Sequence, residues 1–132
     1  MAAGDIPAER RVPIYVLVAS VAGMLPKPVV QLIAQQPDMV LVGHAQSQIE
    51  LLLAAEKGID VLVLGAEHAT PLPGICSHLL GEFPDLRILV LAPGDEAATL
   101  YWLGLRQQRL RQSAPMTVIE GIRKAYHINP TT

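Results

Sequence analysis

Residues 58–65 read Gly-Ile-Asp-Val-Leu-Val-Leu-Gly. Val61, Leu62, Val63 and Leu64 are apolar in succession, with no polar residue alternating between them. A strand with one wet face shows alternation, so this run predicts a strand buried on both faces, the mark of a parallel sheet covered by helices on each side. Glycines at both ends punctuate it. Three more runs share its character. Residues 12–18 (VPIYVLV) are rich in β-branched side chains, residues 39–42 (MVLV) end at Gly43, and residues 87–92 (RILVLA) end at Pro93-Gly94.

The segments between these runs read as helices. Residues 25–35 carry Val29, Leu32 and Ile33 and stop before Pro37. Residues 47–57 carry Ile49, Leu52 and Leu53, with Gly58 as the C-terminal stop. Residues 74–83 carry Ile75, Leu79 and Leu80 and stop at Pro84. Asp95 suits the cap of a fourth helix bearing Ala98, Leu100, Tyr101 and Leu103, ending near Gly104. Pro115 opens the last helix, striped by Val118, Ile119, Ile122 and Tyr126.

Strands and helices thus alternate. Right-handed crossovers make this an α/β fold, a doubly wound, flavodoxin-like three-layer sandwich with parallel strand order 2-1-3-4-5. A fifth strand should lie within residues 105–113, but LRQQRLRQS is polar. Two readings stay open: an edge strand with Leu110 turned inward, because edges tolerate charge, or a helix running on past Gly104 with the fifth strand degenerate or displaced. The first is preferred. One domain is expected over residues 12–128, with 1–11 and 129–132 as loose ends.

The chain has 132 residues, 51% hydrophobic and 17% charged. It is too apolar to remain disordered, and a chain of this length buries roughly two thirds of its unfolded surface. The net charge of −2 shows no overall basic excess for nucleic acid or anionic lipid. The longest uncharged stretch, 12–26, is shorter than a membrane-spanning helix and holds Pro13 and Gly23. Arg10-Arg11 before an apolar run imitates a signal peptide. Asp5 and Glu9 argue against one, so the cytoplasm is the default.

Several local stretches resemble the receiver domains of bacterial two-component response regulators. They are Gln36-Pro37-Asp38 before the second strand, Val42-Gly43 after it, residues 58–64 entering the third and Glu82-Phe83-Pro84-Asp85-Leu86-Arg87 entering the fourth. The resemblance spans about residues 12–127. It implies an aspartate phosphorylated at the end of the third strand, acidic Mg²⁺ ligands after the first, a Ser/Thr after the fourth and a Lys ending the fifth. Carboxylates are hard ligands for Mg²⁺, and the metal with a lysine neutralises the transferring phosphoryl group. In this chain those positions fall on Ala19 and Ser20 for the acidic pair, Gly65 for the acceptor, Ala92 for the hydroxyl and Arg111 for the lysine. Asp60 and Asp38 flank the other ends of the strands, and Glu67 is the only carboxylate near the right rim. The resemblance therefore implies a pseudo-receiver: no phosphoryl chemistry, no cofactor, no metal and no enzymatic activity, with function through protein–protein contact in signalling or transcriptional regulation. The alternative is a small-molecule sensor using the vacated crevice.

The remaining candidates are weak. His44, His68, His78 and His127 lack metal-ligand spacing. Cys76 reads as a small core residue. Ser20 and Thr70 show no base at a recognisable spacing. Gly43, Gly65 and Gly94 follow strands but form no phosphate-loop motif. Charge is more informative. Arg106, Arg109, Arg111, Arg123 and Lys124 face only Glu120 in their stretch. The expected fourth helix, fifth strand and fifth helix share one face, which the family resemblance associates with dimerisation and output. Tyr101 and Trp102 are its aromatic anchors. This face predicts an acidic protein partner or a homodimer. The solvated reading, a basic edge that blocks sheet-to-sheet aggregation, is equally open. Direct nucleic-acid binding and membrane association are not expected.

Overall fold

In the computed structural model, residues 13–68, 74–93, 97–102, 106–110 and 115–126 are described. The elements in order are β1 (Ile14–Ala22), α1 (Lys27–Gln35), β2 (Met39–Ala45), α2 (Gln48–Glu56), β3 (Val61–Ala66), α3 (Gly74–Glu82), β4 (Arg87–Ala92), β5 (Ala97–Trp102), β6 (Arg106–Leu110) and α4 (Pro115–Tyr126). The strands form a six-stranded sheet in the order β2-β1-β3-β4-β5-β6. The first four are parallel, while β5 runs antiparallel to β4 and β6 antiparallel to β5. The flavodoxin-like order 2-1-3-4-5 is present, extended by one strand, but the place beside β4 is taken by residues 97–102 running antiparallel and not by the parallel strand expected within 105–113.

Every residue of β3 and β4 is buried, as unbroken apolar runs require. Side chains alternate between two cores. Val16, Val18, Val61, Val63, Leu89 and Leu91 pack with Val29 and Ile33 of α1 and with Val118, Ile119 and Ile122 of α4. Leu17, Leu62, Leu64, Ile88 and Val90 pack on the opposite face with Leu51 of α2 and with Cys76 and Leu79 of α3. Each fully buried aliphatic side chain contributes about 1.5–3 kcal/mol, so these two layers dominate the stability.

Helix boundaries follow local chemistry. Ser47 caps α2: its Oγ accepts from the Glu50 N–H at 3.2 Å, and Glu50 Oε2 accepts from the Gln46 N–H at 3.0 Å. Gly58 follows α2 with φ +94°, a conformation that side chains rarely adopt. β2 runs through Gly43 and β3 through Gly65, so neither glycine ends its strand.

The expected fourth helix is absent. Residues 97–102 form β5 instead, a correction that also removes the helical part of the expected interaction face. The reason lies in period-two packing. Ala98 and Leu100 enter the α1/α4 core, Tyr101 enters the α2/α3 core, and Thr99 is buried between them in sequence. Thr, Tyr and Trp favour strands, and a six-residue apolar run fits either periodicity. The polar segment after it is an edge strand, β6, paired only to β5 among the described residues.

Candidate functional site at the carboxyl ends of the strands

In open α/β sheets ligands bind beyond the carboxyl ends of the strands. That rim begins where β1 leaves register. Ala19 pairs with Leu64, but Ala22 pairs with Ala66, so an extra residue bulges between them. Ala19 is fully buried and Ser20 half-buried; both lie inside β1 rather than after it.

The bulge delivers Gly23 and Met24 onto the end of β3. A Cβ at Gly65 would lie 2.6 Å from the Gly23 carbonyl oxygen and 2.9 Å from that of Met24. A Cβ at Gly23 would lie 2.5 Å from the Ala66 carbonyl carbon. Real Cβ contacts are not this short, so the two glycines allow main chain to pack on main chain. The crevice at Gly65 is closed by the chain's own backbone, and an aspartate has no room there. Ala92 is buried at the end of β4.

Ser20 and His44, which show no relationship in the sequence, are brought together here. Ser20 Oγ and His44 Nε2 are 2.7 Å apart. The pairing of β1 with β2, Val18 with His44 and Ala19 with Ala45, sets this contact. A serine–histidine hydrogen bond is one requirement of nucleophilic catalysis; a group orienting the base and donors for an oxyanion are the others. Among the described residues no second hydrogen bond orients the His44 ring. The pair's demonstrable role is to join the ends of β1 and β2.

The other sequence candidates disperse. Tyr101 is buried in the α2/α3 core, while Trp102 is half-buried against the opposite core. Arg123 is committed to the α1–β2 turn: its Nε donates to Asp38 Oδ2 at 2.8 Å, and its Nη2 donates to Asp38 Oδ1 at 3.0 Å and Gln36 Oε1 at 2.7 Å. The hydrogen bond to Asp38 raises the Arg123 pKa further above its ordinary value. Lys124 is exposed. Arg106 and Arg109 lie on β6, the outermost strand. Arg111, Thr70, Gly94 and His127 fall outside the described residues, as do 1–11 and 129–132. Asp60 serves the amino ends of the strands, where its carboxylate accepts from the Tyr15 N–H at 2.8 Å. Among the described residues no group of three or more His, Cys, Asp or Glu is placed to hold a metal, and no helix is long and apolar enough to cross a membrane.

Two shallow depressions flank the α2/α3 side. One, of about 230 Å³, lies between β2 and α2 and is lined by Leu17, Val42, His44 and Glu50. The other, of about 220 Å³, lies at the amino ends of the strands against Ile59, Phe83 and Pro84. Neither is lined by Gly65. Compared with known proteins, the chain matches no family model, no curated protein and no solved structure.

Proposed function

We propose that this chain is a phosphorylation-independent pseudo-receiver that acts by protein–protein contact in signalling or transcriptional regulation. The carrying observation is the main-chain packing of Gly23 and Met24 over Gly65, the position that the resemblance assigns to the phosphoacceptor. The strand order 2-1-3-4-5 and the local motifs around the second, third and fourth strands support the scaffold. The antiparallel β5–β6 pair departs from the receiver pattern, so the family's usual output face does not carry over as a unit. Among the described residues, what remains for an acidic partner is the Arg106 and Arg109 edge and the exposed Lys124, of which we take the edge as the docking surface.

Two measurements test this reading. Adding Mg²⁺ with beryllofluoride, a phosphoryl mimic, leaves the amide spectrum around Gly65 and Ser20 unchanged. Saturable Mg²⁺-dependent shifts there would overturn the phosphorylation-independent reading. Capture of an acidic protein partner from cell extract weakens with added salt and with Arg109→Glu, because screening and charge reversal both remove attraction. Capture indifferent to both would overturn the basic edge as the docking surface.

A further inference from the structure

The two edges of the sheet are unlike. The outer strand on one side, β6, reads Arg-Gln-Gln-Arg-Leu and carries two positive charges in five residues. The outer strand on the other side, β2, reads Met-Val-Leu-Val-Gly-His-Ala and carries no Lys, Arg, Asp or Glu. An edge exposes unpaired N–H and C=O groups that template another strand, and proteins commonly guard it with charge. Among the described residues nothing pairs with the outer side of β2.

Beside this open edge lies an apolar strip. Seven large hydrophobic residues are exposed among the described ones, and Tyr15, Val40, Val42, Ile49 and Leu53 are five of them. Tyr15 and Val40 are register partners. Val42 lines a depression on the α2 side with Leu17 and Ala54, and with His44 and Glu50 at the same site. Ile49 and Leu53, one turn apart on α2, are 71% and 55% exposed. They share the outer side of α2 with the exposed Gln48, Glu50 and Glu56, so the apolar surface there is confined to this one-turn pair. The bulge at Val42, which offsets β1 and β2 between Leu41 and Gly43, does not guard the edge, because it presents another apolar side chain.

We infer that the β2 edge and the adjoining face of α2 bind a second copy of this chain in an antiparallel, two-fold arrangement. Charge and closure select that occupant. Two β2 strands meet with no Lys, Arg, Asp or Glu on either, so the strands themselves bring no like charges together. The pairing uses both open edges and leaves only β6, with its arginines, at each end of the joined sheet. Pairing β2 with β6 would repeat without limit, whereas two-fold pairing closes. A seven-residue strand is about 23 Å long. A strand of this length with one helix layer beside it is a small contact against the ~800 Å² per partner of a standard stable complex, so the dimer is weak and concentration-dependent.

The inference stands independently of the signalling reading. Sedimentation of the full chain from about 1 to about 300 µM tests it, a range that brackets a weak interface of this size. The weight-average mass climbs toward twice the monomer mass, and Val42→Lys and Leu53→Glu, each with an unchanged circular dichroism spectrum, keep it at the monomer mass. Arg109→Glu, which weakens acidic-partner capture, leaves dimerisation intact. Val42→Cys cross-links with itself on mild oxidation, while Gln108→Cys on β6 does not. A monomer throughout the range overturns the inference. So do variants that associate like the parent, or a dimer that forms only after residues 1–12 are removed, which would make that segment the occupant.

Discussion

A methyl group at Gly65 would have to push aside the carbonyl oxygens of Gly23 and Met24, which lie within 3 Å of its Cβ position. Gly65→Ala therefore costs about 1–3 kcal/mol, the usual price of overpacking, read as a lower urea midpoint with an unchanged slope. An unaltered midpoint would show that the β1–α1 connection yields freely. This close approach was not legible in the sequence. A glycine after an apolar run reads as a turn, and only the bulge in β1 shows why the residue must lack a side chain. The Ser20–His44 contact was hidden for the same reason: it depends on strand register, and 24 residues separate the partners. Cys76 was legible as a core residue, and burial pushes its thiol pKa from 9.0 up to about 12. Native protein should resist alkylation by iodoacetamide and react once unfolded. Above pH 9 the unfolded chain loses a proton that the native thiol keeps, so stability falls as pH rises toward 12. The slope approaches about 1.4 kcal/mol per pH unit for this one group. Cys76→Ala removes that part of the slope.

Elements whose ends carry specific chemistry were read well. The left-handed Gly58 closes α2 and Pro115 opens α4, as read, whereas the Ser47–Glu50 cap that starts α2 was not singled out. Replacing Ser47 by Ala costs about 1 kcal/mol, measured by denaturation, with the loss confined to α2 in hydrogen exchange. β5 was misread because Ala98, Leu100 and Tyr101 fit a helical stripe as well as an alternating one. Position in the sheet, between β4 and β6, decided the outcome. Leu100→Ala leaves a cavity in the α1/α4 core and costs about 2–4 kcal/mol. Amides 98–101 should be among the slowest to exchange, because both neighbouring strands shelter this one. Fast exchange at these amides would contradict the strand assignment.

At the scale of the whole molecule, the four hydrophobic runs foretold a covered sheet, and their order fixed its centre. The distribution of function over the surface was not legible, because charge along the chain does not reveal which cations are already engaged. Arg123 is one of the expected docking cations, yet it grips Asp38 and Gln36. Arg123→Ala should lower stability by about 1 kcal/mol after allowance for solvent screening at a half-exposed pair. It should leave salt-sensitive partner capture unchanged, a result that separates the fastening from the basic edge.

That fastening joins α4 to the first strand–helix unit, and α4 also lies over β3, β4 and β5. The two faces of the sheet therefore cannot mature together as the polypeptide emerges from a ribosome. The side under α2 and α3 gains its cover in step with synthesis. The opposite side keeps much of its oily surface bare until residues 115–126 arrive, leaving the nascent chain vulnerable to aggregation until that helix has been made.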